Sequence, residues 1–220
     1  MPEVLLGGIE QARAALRARQ GLGARYDAPN APARELDWAR RGAAYFARML
    51  NELSDNALNG DSRVPGWSRR QVAACVAYHA RALARATERA RTGAPIALWE
   101  SPDQREGEIE DGKTLPAGAL RHLVSHAEVH LNVEWRDLAE DDWDRSLPFE
   151  GIPSARVTPW LRAKEVWLRA VDLRNGGRFE DFPGDFVGAL LAEKTGHAPN
   201  PSGDFFVLAR RHLGTSQNSY

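Results

Sequence analysis

Cys75 and His79 stand four residues apart in PGWSRRQVAACVAYHARALA. On a helix that spacing makes their side chains neighbours, able to share a metal ion or a proton. The same spacing also suits a small buried thiol beside a hydrogen-bonded core histidine. A second pair, Glu165 and Arg169, lies in TPWLRAKEVWLRAVDLRNGG, where Arg162, Glu165, Arg169 and Asp172 form one polar stripe on an otherwise apolar helix. That stripe is either a solvent-facing ion pair in the favourable Glu-before-Arg order or the lining of an internal cavity. His122, His126 and His130 also recur at four-residue steps. Three histidines along one straight helix span too far for a single ion, so these read as a polar flank.

The elements that must position these residues are helical, because apolar residues recur at three and four positions nearly everywhere and no stretch alternates with period two. A first amphipathic segment covers Ile9 to Arg19 and gives way to GLGARYDAPNAPA, a linker or strap. A helix is expected from about Glu35 to Leu58. A second runs from Ser68, a plausible N-cap, to about Thr92 before Gly93, with Val72, Cys75, Val76, His79, Ala80 and Leu83 facing the core and Arg70, Arg81, Arg85 and Arg89 pointing away. Gly93 to Thr114 reads as a long loop with an acidic run, EGEIEDG, that could act as a lid. A third helix spans about Pro116 to Leu138. A fourth opens with Thr158 as N-cap and Pro159 at its first position and ends near Asn175-Gly176-Gly177. Shorter helices are expected over about Pro183 to Lys194 and Asp204 to His212, followed by a disordered tail, GTSQNSY. The expected organisation is residues 1–34 as an N-terminal helix and strap, 35–195 as an all-α four-helix bundle with short flanking helices, and 196–220 as a short C-terminal helix and tail.

Composition narrows the function classes. Twenty-nine Lys and Arg against thirty Asp and Glu leave a net charge of -1, which offers no basic field for a phosphate backbone, so nucleic acid is not an expected partner. No run of 18 apolar residues occurs and the amino terminus lacks the order of a signal peptide, so no membrane partner is expected and the reading is cytoplasmic. The single cysteine, Cys75, excludes an internal disulfide framework and any CxxC metal motif, leaving one reactive thiol.

From Val64 onward the chain resembles the mycothiol-dependent maleylpyruvate isomerase family, whose bundle belongs to the DinB-like group. The residues that carry the likeness are PGWSRRQVAACVAYHARALA, ARTGAPIALWESPDQREGEI, GALRHLVSHAEVHLNVEWRDLAEDDW, RAKEVWLRAVDL and FEDFP; together the similar regions cover about Glu35 to Leu191. The resemblance implies a zinc ion held by a histidine on the second helix and by a glutamate and a histidine one turn apart on the fourth, activating a small thiol. That thiol adds to a cis double bond, permits rotation and leaves. The glutamate falls on Glu165, but the family's two histidine positions are Cys75 and Arg169 here. Cys75, His79 and Glu165 remain as donors for a metal, while Arg169 cannot bind a cation. The family's loop arginine falls on Arg105, which with Arg169 would suit a carboxylate-bearing substrate.

Family members commonly carry a further small domain that helps hold the thiol, whereas only about thirty residues follow the last matching helix here. The resemblance therefore implies a cis-trans isomerase of maleylpyruvate or a similar cis-enedioate in gentisate-type aromatic degradation, with Cys75, His79, Glu165 and Arg169 as the reactive set. Its alternatives are a thiol S-transferase of the same bundle, using mycothiol, glutathione or bacillithiol, or a metal-free binding relative without turnover. A further expectation makes Cys75 itself the nucleophile, with His79 taking its proton.

Overall fold

The structure, a computed structural model, describes residues 26–101 and 103–195; the expected helices at Ile9–Arg19 and Asp204–His212 and the tail lie outside them. Six α-helices follow in chain order: α1 (Ala33–Asn51), α2 (Arg69–Thr92), α3 (Gln104–Thr114), α4 (Ala117–Asp137), α5 (Thr158–Asp172) and α6 (Gly184–Thr195). Among the described residues there is no β-strand, only two isolated bridges, Asp61 with Ser68 and Phe149 with Ile152. The long helices α1, α2, α4 and α5 form a four-helix bundle in which α2 packs most extensively on α4 and α1 on α5. No helix among the described residues is long and apolar enough to cross a membrane.

The second helix begins and ends where its sequence says. Ser68 and Gln71 form a reciprocal capping box, and Gly93 closes the helix with φ of 71°, a left-handed conformation that costs glycine little. Two boundaries depart from expectation. The first helix stops at Asn51 rather than Leu58, because arginines from other helices take the carbonyls beyond it: Arg121 donates to Leu53 O at 2.7 Å and Arg69 to Ala57 O at 2.8 Å. The chain bends there into a short 3-10 turn, Ala57–Asn59, that buries Leu58 completely. Thr158 is the first helical residue of α5, and its hydroxyl accepts from Trp135 Nε1 and donates to Ala155 O instead of capping.

The segment expected as a long loop and lid contains α3. Its sequence, QREGEIEDGKT, has no apolar stripe, which is why periodicity misses it. Packing makes the helix: Ile109 is buried, and Gly112 lies so close to α2 that an added Cβ would come within 2.7 Å of Ala74 Cβ and 2.9 Å of Tyr78. Because α3 covers that side of α2, Arg85 is half-buried beside Glu108 at 3.9 Å rather than projecting into water. The histidines 122, 126 and 130 are exposed on the outer flank of α4, as their spacing suggests.

Candidate functional site

The α2–α5 contact is clamped at both ends. Arg162, only 1% exposed, donates through Nη1 to Val76 O at 2.7 Å and pairs with Glu128 of α4 at 2.7 Å. At the other end Arg69 donates from α2 to Leu173 O at 2.7 Å, and Arg63 N donates to Asp172 O at 2.8 Å. Between these clamps the helices run antiparallel and present Cys75 and Glu165 to each other. The polar stripe of the fourth long helix therefore faces the bundle interior rather than solvent, as packed side chains.

Glu165 Oε1 is the centre of the arrangement. The Cys75 thiol donates to it at 3.4 Å, and Arg169 Nε donates to the same oxygen at 3.1 Å. Arg169 Nη1 continues to Asp172 at 3.0 Å, and the guanidinium lies over the Trp67 ring at 5.7 Å. Its third nitrogen, Nη2, has no hydrogen bond to any described residue. His79 sits one turn beyond Cys75 with Nδ1 buried and unpartnered. Arg105, at the start of α3, acts electrostatically on both Cys75 and His79 and donates no hydrogen bond to a described residue.

These surroundings set the protonation states. Burial, and then the neighbouring Glu165 carboxylate, push the Cys75 thiol up to about 12. Cys75 is therefore a protonated donor at neutral pH, so the expectation that makes it the nucleophile needs a thiolate that these surroundings disfavour. Burial lowers His79 to about 4, with Arg162, Arg105 and Arg169 adding to the effect against Glu165, so the imidazole is neutral. Burial alone would raise Glu165, but Arg169 and the other nearby donors outweigh it and hold the carboxyl near 2. Burial raises Asp172 in spite of Arg169.

A cavity of about 300 Å³ opens between α1, α4 and α5, lined by Phe46, Leu50, Val124, Arg162 and Val166, and Cys75, His79, Glu165 and Arg169 are not among its lining residues. Of the expected reactive set, Cys75, Glu165 and Arg169 meet in a hydrogen-bonded cluster, while His79 stands one turn from Cys75 with Nδ1 making no hydrogen bond to a described residue. Sequence reasoning missed two of the partners of the two arginines, Glu128 of Arg162 and Trp67 of Arg169. The stripe at 162, 165, 169 and 172 carried a signal for the arginines. The partner on α4 carried none.

Residues 39–174 match the family described as the mycothiol maleylpyruvate isomerase N-terminal domain. The chain belongs to that family. Two crystal structures of the mycothiol-dependent maleylpyruvate isomerase, one of them a histidine-to-alanine mutant, each superpose with a TM-score of 0.71 at 35% identity, covering 74% of this chain and 69% of the other. No curated protein matches.

The zinc ion implied by the resemblance does not fit the residues present. Of the three motif positions only Glu165 keeps an anionic donor: Arg169 is a guanidinium that neither deprotonates nor ligates and already donates to Glu165 Oε1, and the Cys75 thiol donates to the same oxygen with its proton held by burial. At about 4 Å and an effective dielectric near 20, two unit charges repel by about 4 kcal/mol, and a divalent ion doubles this. Among the described residues no three His, Cys, Asp or Glu side chains are grouped to hold a metal.

Proposed function

We propose that this protein is a cis-trans isomerase of maleylpyruvate or a similar small cis-enedioate, working with a low-molecular-weight thiol such as mycothiol or glutathione. The observation that carries this reading is the meeting of Cys75, Glu165 and Arg169 inside the bundle, at the positions of the family motif, with Arg105 uncommitted nearby. Two solved isomerases of the family share this chain's fold at 35% identity.

The roles follow from the local chemistry. Arg105 and the free Nη2 of Arg169 supply planar donors for the two carboxylates of the substrate. The neutral His79 Nδ1 accepts the proton of the incoming thiol while its sulfur forms a bond to one alkene carbon. The alkene electron pair moves onto the conjugated carboxyl or keto group, and the former double bond rotates. When the pair returns, the carbon–sulfur bond breaks, the trans alkene forms and the proton goes back to the departing thiol. Glu165 and Asp172 hold Arg169 in place, and Cys75 holds Glu165 by donating to it.

One observation favours a second reading, a relative that binds a small acid without turnover: Cys75 and Arg169 stand where the family motif has histidines. The loss of the cis-enedioate absorbance with and without added thiol decides between them. Thiol-dependent conversion to the trans product is expected. Saturable binding of the substrate with no conversion under any thiol would establish the binder.

A further inference from the structure

Arg169 is fixed more firmly than a surface arginine. Its Nε and Nη1 donate to two different carboxylates, Glu165 at 3.1 Å and Asp172 at 3.0 Å, and its plane covers Trp67. Glu165 is itself buried and accepts from the Cys75 thiol on the oxygen that also receives Arg169. The side chains at the three positions that the family motif assigns to metal ligands thus bond to one another. Glu165 Oε1 accepts from both of its neighbours, while Arg169 keeps Nη2 for a ligand.

We propose that the Arg169 guanidinium is the resident cation of this site, standing in place of a metal ion, so that the site binds its anionic ligand through arginine and works without zinc. The proposal rests on the family reading only for the comparison of positions. The charge argument is local. A guanidinium supplies a permanent positive charge and directional donors, which orient a carboxylate, but it cannot take a thiolate into a coordination shell or lower its pKa as strongly as a divalent ion does. Arg169 cannot rotate away to admit a metal without leaving two carboxylates unpaired in a largely buried setting.

The test measures zinc rather than turnover, so it is separable from the isomerase reading. The full chain is incubated with excess zinc, desalted and analysed for metal, and its melting temperature is recorded with zinc and with chelator. Wild type is expected to keep less than about a tenth of a zinc per chain and to melt at the same temperature in both conditions. The double variant Cys75→His, Arg169→His restores an imidazole–carboxylate–imidazole set; it is expected to retain about one zinc per chain and to melt several degrees higher with zinc than with chelator.

Stoichiometric zinc on wild type that Glu165→Gln releases would overturn the proposal. Zinc that survives Glu165→Gln lies elsewhere and leaves this site metal-free. A double variant that folds by circular dichroism yet takes up no zinc would also overturn it, since Arg169 would then not be what excludes the ion. Should that variant fail to fold, Arg169→His alone keeps Cys75 and Glu165 as donors and must gain zinc over wild type for the proposal to stand.

Discussion

Two seams meet along α5, and they are built on opposite principles. Toward α1 and α6 the helix buries an aromatic cluster. Trp167 stacks on Tyr45 at 5.0 Å and meets Phe182 at 5.0 Å, and Trp38 meets Trp160 and Phe186 at 5.8 and 5.5 Å. The polar tips of Trp38, Tyr45 and Trp167 all find a partner: Trp38 Nε1 donates to Asp185, Trp167 Nε1 to Trp38 O and the Tyr45 hydroxyl to Asp181. Toward α2 the same helix buries Arg162, Glu165 and Arg169, and there the accounting is incomplete. Among the described residues His79 Nδ1 has no partner, and Arg105 and Arg169 Nη2 donate no hydrogen bond. A seam with every donor matched serves stability, whereas one with donors and an acceptor in reserve is where a polar ligand gains most.

The largest expected break in this contrast is Trp167→Ala. It removes the ring that joins Tyr45, Phe182 and Phe186 and leaves Trp38 O without its indole donor, so a loss of about 3–5 kcal/mol is expected in urea unfolding. A loss below about 1 kcal/mol would mean that the aromatic seam is not the stabilising one. Arg105→Gln should do the reverse. Unfolding stability is expected to stay within about 0.5 kcal/mol of wild type, while calorimetric binding of a cis-dicarboxylate such as maleate weakens about tenfold. Equal binding by the variant would remove Arg105 from the site.

The smallest effect concerns the rim of the aromatic seam and is read through pH. Burial and the hydrogen bond to Asp181 raise Tyr45 from 10.0 to about 12, and that same bond lowers Asp181 from 3.8. A tyrosine raised in the folded state favours the fold fully below pH 10 and loses that contribution as the pH climbs through about 12. The lowered Asp181 contributes above its ordinary value and is lost on acidification below it. Melting temperature should therefore fall between pH 10 and 12 more steeply for wild type than for Tyr45→Phe. Identical alkaline slopes in the two proteins would show that the bond does not report on folding.

Much of the bundle was readable because burial and periodicity coincide in its long helices. Ser68, Gln71 and Gly93 mark the ends of α2, and Leu120, Val124, Ala127 and Leu131 mark the inner face of α4. The resemblance picked out Cys75, Glu165, Arg169 and Arg105 from three motif segments. Reading failed where a neighbour, rather than the local sequence, makes the element. The helix at Gln104–Thr114 has no amphipathic signature and exists because Ile109 and Gly112 fit against Ala74 and Tyr78, which in turn draws Arg85 inward.

The sequence by itself determined the helical class, the spacing that puts Glu165 and Arg169 on one stripe, and the presence of a cysteine and an arginine at two motif positions. Those are properties of local geometry and residue identity, and helical periodicity transmits them directly. Only the tertiary structure decided that the stripe faces inward, that Cys75 and Arg169 share one carboxylate oxygen, and that Arg162 finds Glu128 on another helix. Each of these is a contact between residues 34 to 90 positions apart or depends on one. Their energies follow from desolvation, which no single helix can set because it depends on what its neighbours exclude.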